Sequence, residues 1–206
     1  MPNAVRLQQF AGAHSDSTAT NIVFLGRLVV RKGCLQLLRA VAYLRAHGLY
    51  EGDFRVIVGG KGELLPELKR FVAEHRLGEI VSFHGFVDET EKAGFLAAGD
   101  IAVYPSSGGE SFGIVLLEAM AAARGVVLGG DNPGYASVLA PYPDQLFDPA
   151  DTPAFAEKLA WYLKHPDERR RAAAEQHAYV KRFDVDTVGR ELLEVYSSAL
   201  QKRPQT

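Results

Sequence analysis

Short apolar runs alternate along this chain with longer stretches whose apolar residues recur at helical spacing. Six runs have the length and composition of buried strands, at residues 21–25, 54–58, 80–83, 101–104, 126–128 and 145–147. Helical stretches follow the first four runs, at residues 34–47, 64–75, 88–98 and from Ile114 onward. Strands that alternate with helices pair in parallel, and the helices cover both faces of the sheet. The alternation therefore predicts an α/β fold, with three α/β/α layers around a parallel sheet of about six strands.

The two ends of the chain differ from this repeating centre. Residues 1–20 show no sustained periodicity, so we expect them to be the end of a linker. Residues 21–206 are expected to form one Rossmann-like domain that ends in helices at 152–164, 167–182 and 187–200. Thr152 precedes a proline, which predicts that its hydroxyl caps the first of these helices. Residues 131–134 are predicted to form a turn between the last two strands.

Composition argues against several classes of function. The chain has 206 residues, 47% of them hydrophobic, and its net charge of -2 sets up no field that would attract nucleic acid or an anionic membrane. The single cysteine, Cys34, excludes an internal disulfide, and we expect it to pack in a helix. None of the six histidines pairs with another at metal-binding spacing, so no metal is predicted. Neither a membrane-spanning run nor a signal peptide is visible, which favours the cytoplasm or, for a longer protein, the cytosolic face of a membrane.

The stretch from Tyr104 to Glu118 joins the fourth strand to its helix and carries the strongest functional signal. Its glycines let backbone amides approach a ligand closely, and the first amides of a helix lie unpaired at the positive end of its dipole. Such a loop receives phosphate. Glu110 and Glu118 bracket this position, and carboxylates accept hydrogen bonds from hydroxyl groups. The predicted ligand has phosphate in its middle and a polyol at either end, as a nucleotide sugar has.

A basic loop follows the first strand, and in a parallel sheet it lies on the same edge as the glycine-rich loop. Gly26 ends the strand, and Arg27 can grip two phosphate oxygens with its planar guanidinium. Lys32 adds a second positive charge just before the next helix. The loop therefore predicts phosphate contacts from Arg27 and Lys32.

One motif supports a different reading. Residues 109–113 match the Gly-x-Ser-x-Gly elbow of α/β-hydrolases, which would make Ser111 a nucleophile with Asp148 and either His165 or His177 as partners. The elbow serine should follow its strand almost at once, whereas the five residues 105–109, and then Glu110, lie between this strand and Ser111. The hydrolase therefore stays an alternative to the phosphate-binding loop.

Four motifs, in order, make the chain resemble the C-terminal, donor-binding half of the retaining GT-B glycosyltransferases of family 4, or group 1. The motifs are residues 2–5 (Pro-Asn-Ala-Val), Gly26-Arg27 with Lys32-Gly33, residues 81–87 (Val-Ser-Phe-His-Gly-Phe-Val), and Glu110 to Glu118 with seven residues between them. They are similar to the family's interdomain connection, diphosphate-binding loop, nucleobase-binding stretch and Glu-x7-Glu element. Ala4 stands where the family usually has glycine.

The resemblance implies roles for the matched residues. Arg27, Lys32 and Glu110 are the expected catalytic residues, because the two cations stabilise the departing diphosphate and Glu110 faces the donor sugar. Glu118 is expected to take the ribose hydroxyls. The full predicted donor-binding set is Gly26, Arg27, Lys32, Phe86, Val87, Glu89, Lys92, Gly109, Glu110, Ser111, Phe112, Gly113, Ile114 and Glu118. Neither a metal nor a cofactor beyond the nucleotide-sugar substrate is implied.

Two stretches refine the resemblance. Residues 108–116 and 87–92 look most like those of the phosphatidylinositol mannosyltransferases, which implies GDP-mannose as donor and Glu89 and Lys92 as guanine-side contacts. A UDP-sugar donor, for glucosyl or N-acetylglucosaminyl transfer, is the alternative. The usual Gly-Gly-x-x-Glu is replaced at 129–134, so either Asn132 or Tyr135 takes the place of its carboxylate or the region serves another purpose.

The resemblance begins where the connection between two domains ends, so the acceptor-binding N-terminal domain is expected to be absent. The family transfers its sugar in a cleft between both domains. This implies that the chain alone binds a nucleotide sugar but transfers little to an acceptor, whose nature the sequence does not indicate. A stand-alone nucleotide-binding module is the alternative from another class, and the related GT-B epimerases and phosphorylases are minor ones.

Overall fold

The computed structural model describes residues 3–10, 19–122 and 124–201. One sheet contains six strands: β1 (Thr20–Leu25), β2 (Phe54–Gly59), β3 (Val81–Gly85), β4 (Ile101–Tyr104), β5 (Val126–Gly130) and β6 (Leu146–Phe147). The described residues also form eight α-helices: α1 (Cys34–Ala46), α2 (Leu65–Glu74), α3 (Lys92–Ala97), α4 (Ile114–Ala121), α5 (Pro133–Leu139), α6 (Thr152–Lys164), α7 (Pro166–Val180) and α8 (Val185–Gln201). The predicted α/β class and Rossmann-like layout are confirmed.

All strand pairs are parallel, and their spatial order is β3-β2-β1-β4-β5-β6. The chain adds strands outward from β1 to β3 and then returns to the other side of β1 with β4. The two halves of the sheet therefore meet between β1 and β4. In an open parallel sheet this reversal leaves a crevice at the carboxyl ends of the two strands.

Two hydrophobic cores lie on opposite faces of the sheet. Ile22 and Phe24 of β1 point into one core, where α1 packs against α6, while Val23 points into the other. This alternation follows from the two-residue period of a strand. Cys34 is buried in the first core, and burial raises the pKa of its thiol to about 12. The predicted packing role of Cys34 is confirmed.

The other predicted boundaries lie within two residues of the observed ones, but three predictions are wrong for local reasons. Residues 131–134 do not form an isolated turn, because Asn132 caps α5 by accepting a hydrogen bond from the Tyr135 amide at 3.0 Å. Thr152 is the first residue of α6 rather than its cap, since the Asp151 side chain accepts from the Ala154 amide at 3.0 Å. The predicted helix at 88–98 begins only at Lys92.

The segment before β1 contacts the domain. Val5 pairs with Asp184 in an isolated parallel bridge, and its amide donates to the Phe183 carbonyl at 2.8 Å. Phe10 ends a short 3-10 helix, Leu7–Phe10, and is buried in the second core. Residues 1–2 and 11–18 of the predicted linker, and so Pro2 of its motif, lie outside the described residues. Among the residues that are described, no helix is long and apolar enough to cross a membrane.

Candidate functional site

A pocket of about 250 Å³ lies at the carboxyl ends of β1 and β4. Its walls come from the ends of β1 and β4, from the loops that follow β1 and β3, and from the helices α3, α4 and α5. The lining residues are Phe24, Leu25, Gly26, Arg27, Lys32, Val87, Lys92, Tyr104, Val115, Glu118 and Tyr135. The pocket thus occupies the crevice at which the strand order reverses.

A larger cleft, of about 590 Å³, lies elsewhere, between the end of α5, α6 and α7. Its charged lining has two basic residues and four acidic ones: Lys158, Arg171, Asp144, Glu157, Glu168 and Glu175. The pocket at β1 and β4 has the opposite balance, with three basic residues and one acidic residue. Clefts lined mainly by one sign of charge attract ligands of the other sign, so the smaller pocket is the better receptor for an anion.

The loop after β1 and the loop after β4 fit closely against each other. Gly33 has a φ of 77°, and a Cβ atom at this position would lie 1.9 Å from the Pro105 carbonyl oxygen. Two donors of the second loop, the Ser106 hydroxyl and the Ser107 amide, reach the Arg31 carbonyl at 2.9 and 3.1 Å. Only glycine permits this approach, which explains the residue type at the end of the basic loop.

The start of α4 has no side-chain cap. Gly113 precedes the helix with a φ of 107°, and it has no side chain with which to cap the helix. A Cβ atom there would lie 2.7 Å from Cδ1 of Tyr135. The amides of Ile114 and Val115 have no acceptor in the described part of the chain and are available to an anion, whereas the Leu116 amide donates to the Gly113 carbonyl at 2.9 Å.

Glu110 is held by three donors at one oxygen. Its Oε1 accepts from Lys32 Nζ at 2.8 Å, from Ser106 Oγ at 2.9 Å and from Arg31 Nη1 at 3.1 Å. Burial alone would raise the pKa of Glu110, but the hydrogen bonds from Lys32 and Ser106 and the charges of Lys32 and Arg31 lower it below its ordinary value. Glu110 is therefore ionised and fixed in orientation.

Glu118 lines the pocket and is paired with Lys92. Lys92 Nζ contacts Glu118 Oε1 at 2.9 Å and Glu89 Oε1 at 2.6 Å. Burial raises the pKa of Glu118 against the opposing hydrogen bond and charge of Lys92. Burial also disfavours the Lys92 cation, but the two glutamate contacts prevail and raise its pKa. The pair places a carboxylate acceptor and an ammonium donor side by side in the pocket wall.

Arg27 is the exposed cation of the pocket, and no carboxylate among the described residues lies within ion-pairing distance of it. Lys32 uses one of its three N–H donors for Glu110, so the other two remain for a ligand. Phe86 is 60% exposed, with Lys61 Nζ 4.4 Å from the centre of its ring. Val87 beside it is buried and lines the pocket.

A match to the family model for group 1 glycosyl transferases covers residues 6–178 of the chain. The chain belongs to this family. Over 96% of its length it is 32% identical to the phosphatidyl-myo-inositol mannosyltransferase of Mycobacterium tuberculosis, of which the match covers 53%. The chain therefore spans about half the length of this curated relative.

Solved structures show the same fold. Anabaena Alr3699/HepE in complex with UDP-glucose has a TM-score of 0.80 and 21% identity, over 95% of this chain and 56% of that one. The C-terminal domain of the group 1 protein LpcC from Francisella tularensis has a TM-score of 0.70 and 24% identity, over 89% of this chain and 95% of that one. The fold is thus that of the GT-B glycosyltransferases.

In this glycosyltransferase domain the predicted residues fall into three groups. Gly26, Arg27, Lys32, Val87, Lys92 and Glu118 line the pocket. Glu110 and Glu89 do not line the pocket, but each forms an ion pair with a lysine that does, Lys32 and Lys92 respectively. The remaining predicted residues do not line it: Phe86, Gly109, Ser111, Phe112, Gly113 and Ile114. Their contribution to donor binding stays a prediction, and the Phe112 ring lies edge-on to that of Phe183 at 5.9 Å.

The structure distinguishes the two residues that were proposed to replace the family's carboxylate. Asn132 is buried, and its Nδ2 donates to the carbonyls of Ser106 and Gly130 at 3.0 and 3.1 Å. Asn132 therefore ties β5 and α5 to the loop after β4 and does not face the pocket. Tyr135 does line the pocket, so of the two proposed substitutes only Tyr135 is in a position to meet a ligand.

Sequence reasoning missed Arg31, Ser106 and Tyr104. Arg31 and Ser106 hold Glu110, and the Tyr104 hydroxyl is buried in the pocket floor without a hydrogen-bond partner among the described residues. Tyr104 ends an apolar strand and so resembled a core residue. Arg31 stood in a basic run whose members the sequence alone could not rank.

The hydrolase alternative lacks its triad. A catalytic histidine donates Nδ1–H to a carboxylate. The Nδ1 atoms of His165 and His177 instead lie 2.7 and 3.1 Å from the carbonyl oxygens of Trp161 and Met120. Neither histidine is therefore oriented to activate Ser111.

Proposed function

We propose that this chain is the donor-binding domain of a retaining hexosyltransferase that uses GDP-mannose. The observation that carries the proposal is the combination of Arg27, Lys32 and the uncapped start of α4 at the strand-order reversal, with Glu118 in the pocket wall and Glu110 paired with Lys32. The identity to a mannosyltransferase supports the choice of mannose. A UDP-sugar is the competing donor, since a protein of the same fold has been solved with UDP-glucose.

The cations supply electrostatic stabilisation in this proposal. When the bond between sugar and diphosphate breaks, negative charge grows on the leaving phosphate. Arg27 and Lys32 stabilise that charge more strongly in the transition state than in the bound donor, which lowers the barrier. Glu118 accepts hydrogen bonds from the ribose hydroxyls, and Glu110 accepts one from the sugar. Each carboxylate is already held by a lysine, so little ordering is required when the donor binds.

Calorimetry with GDP, UDP, GDP-mannose and UDP-glucose tests the proposal. We expect the wild-type chain to bind the guanosine ligands more tightly than the uridine ones. Arg27→Ala removes a charge-assisted contact of about 1.5–3 kcal/mol, so it should weaken GDP binding at least tenfold. Glu118→Gln keeps the shape but loses an anionic acceptor, and a smaller loss is expected.

Arg39→Ala and Glu79→Gln are matched controls, because both side chains are exposed and remote from the pocket lining. Neither should change any affinity. If the chain prefers UDP-glucose, the donor is a glucose-type sugar nucleotide rather than GDP-mannose. If Arg27→Ala leaves binding unchanged, the ligand lies elsewhere and the proposed site is contradicted.

Transfer to an acceptor requires more than this domain in our proposal, because the chain spans about half of its relative. We expect the chain alone to release little mannose from GDP-mannose. Chromatography of the reaction products would detect any turnover. Rapid turnover by these 206 residues would show that a single domain suffices.

A further inference from the structure

The two oxygens of Glu110 have different surroundings. Lys32, Ser106 and Arg31 all donate to Oε1, at 2.8, 2.9 and 3.1 Å. No residue in the described parts of the chain donates to Oε2. Three donors on one oxygen fix the rotation of the carboxylate, and the other oxygen keeps its acceptor capacity.

Arg31 connects this carboxylate to both loops. Its Nη1 donates to the Gly109 carbonyl at 3.0 Å as well as to Glu110. Its own carbonyl accepts from the Ser106 hydroxyl and the Ser107 amide at 2.9 and 3.1 Å. Arg31 is not among the residues that line the pocket, in contrast to Lys32. Its influence on a ligand therefore passes through Glu110 and the loop that carries it.

We propose that Arg31 is a positioning residue that fixes Glu110 through Oε1, so that Oε2 accepts a hydrogen bond from a hydroxyl of the transferred sugar. This inference rests on the proposed function and adds a residue to it. Lys32 pairs with Glu110 and also lines the pocket, whereas Arg31 binds Glu110 and the Gly109 carbonyl without lining the pocket. Loss of Arg31 should consequently change recognition of the sugar and leave recognition of the nucleoside diphosphate intact.

The test compares GDP-mannose with GDP, which lacks the sugar and has one more ionisable oxygen on its terminal phosphate. Calorimetry gives the Kd of each ligand for the wild type. The ratio of the Kd of GDP-mannose to the Kd of GDP measures how the sugar affects binding. UDP-glucose and UDP serve instead where the wild type prefers uridine. We expect Arg31→Gln to raise this ratio about tenfold, the size of one lost hydrogen bond, while the Kd of GDP stays within about twofold. Arg39→Gln, an exposed arginine on α1, is the control and should change neither value.

Three further outcomes decide the inference. An equal loss of both affinities would show that Arg31 contacts the diphosphate, and two unchanged affinities would show a purely structural role. Either result overturns the proposal. In the Glu110→Gln background Arg31→Gln should leave the ratio unchanged, because the two residues act as a unit. A full tenfold effect there would also overturn it.

Two measurements keep the test decisive. Thermal unfolding shows whether Arg31→Gln folds, and Arg31→Lys, which retains the cation, should restore most of the sugar preference. A lysine variant as defective as the glutamine variant would contradict positioning by the positive charge. If the wild type binds no nucleotide, the proposed function itself fails, and this outcome differs from any result that concerns Arg31.

Discussion

Glu110 and Glu118 face the same region, yet their pKa values are displaced in opposite directions. Hydrogen bonds and charges from Lys32, Ser106 and Arg31 outweigh burial at Glu110 and lower its pKa, whereas burial prevails over Lys92 at Glu118 and raises it. The ionised form of Glu110 therefore adds to the free energy of unfolding above the ordinary carboxyl range. That contribution is lost as the pH falls through its folded pKa.

These directions predict two separate steps on acidification. Glu118 protonates first, above the ordinary glutamate value of about 4.3, and the affinity for GDP falls as the ribose acceptor is lost. Glu110 protonates at a lower pH, so the ratio between GDP-mannose and GDP holds until then. Calorimetry across this pH range measures both. Glu118→Gln should remove only the first step, the fall in GDP affinity. A ratio between GDP-mannose and GDP that changed at a higher pH than the GDP affinity would contradict the roles assigned to the two carboxylates.

Gly33 gives a prediction on stability. Gly33→Ala requires alanine to adopt a left-handed backbone conformation, at a cost of about 1–2 kcal/mol. It also places the Cβ atom too close to the Pro105 carbonyl oxygen, at 1.9 Å. Gly48→Ala is the matched control, because Gly48 has a φ of 59° and a Cβ atom there would meet nothing within 4 Å. We expect Gly48→Ala to lower the Tm by about 2–8 °C and Gly33→Ala to lower it by clearly more. Equal shifts in thermal unfolding would show that the two loops do not depend on this close contact.

At the scale of elements, the buried side-chain amide of Gln176 on α7 binds the backbone of β5. Gln176 Oε1 accepts from the Val127 amide at 2.8 Å, and its Nε2 donates to the Val127 carbonyl at 3.0 Å. A backbone position that would otherwise be buried without partners is thereby satisfied. The helix consequently supports β5, whose end carries Asn132 and α5.

Gln176→Leu should therefore be strongly destabilising for a volume-conserving change. It leaves a buried amide and carbonyl of Val127 without partners, which costs about 1–3 kcal/mol for each group. The expected fall in Tm is about 4 °C or more. Gln8→Leu, at an exposed position, is the control in the same thermal unfolding assay. A fall no larger than that of the control would mean that Val127 finds other partners.

The elements were predictable where one local signal decided them. Six apolar runs gave six strands, and α1 begins at the predicted Cys34. The prediction missed α5 because Asn132 and Pro133 are typical turn residues, while the hydrogen bond that makes Asn132 a cap forms only in the fold. It extended α3 too far because Asp88 looks like a helix start, but its side chain accepts from the Thr90 and Glu91 amides and forms a turn before the helix.

At the scale of the whole molecule, strand order determines which residues can form a site. Arg27 and Glu118 are far apart in sequence and meet because β1 and β4 are neighbours. A parallel α/β pattern predicts this meeting, which is why the sequence alone could group the basic loop with the Glu-x7-Glu stretch. It could not predict that Lys32 pairs with Glu110 or that Lys92 pairs with Glu118, since side-chain pairing depends on how closely the loops pack.

The proposed function depends above all on a nucleotide occupying the pocket at β1 and β4 rather than the larger, acidic cleft beside α6. Amide chemical shifts of the labelled chain, followed by NMR while GDP is added, test this directly. We predict that the largest shifts fall in residues 26–33, 87–92 and 106–118, with saturation at the calorimetric Kd. Shifts concentrated around Tyr142, Trp161 and Arg171, with the β1 and β4 loops unchanged, would contradict it.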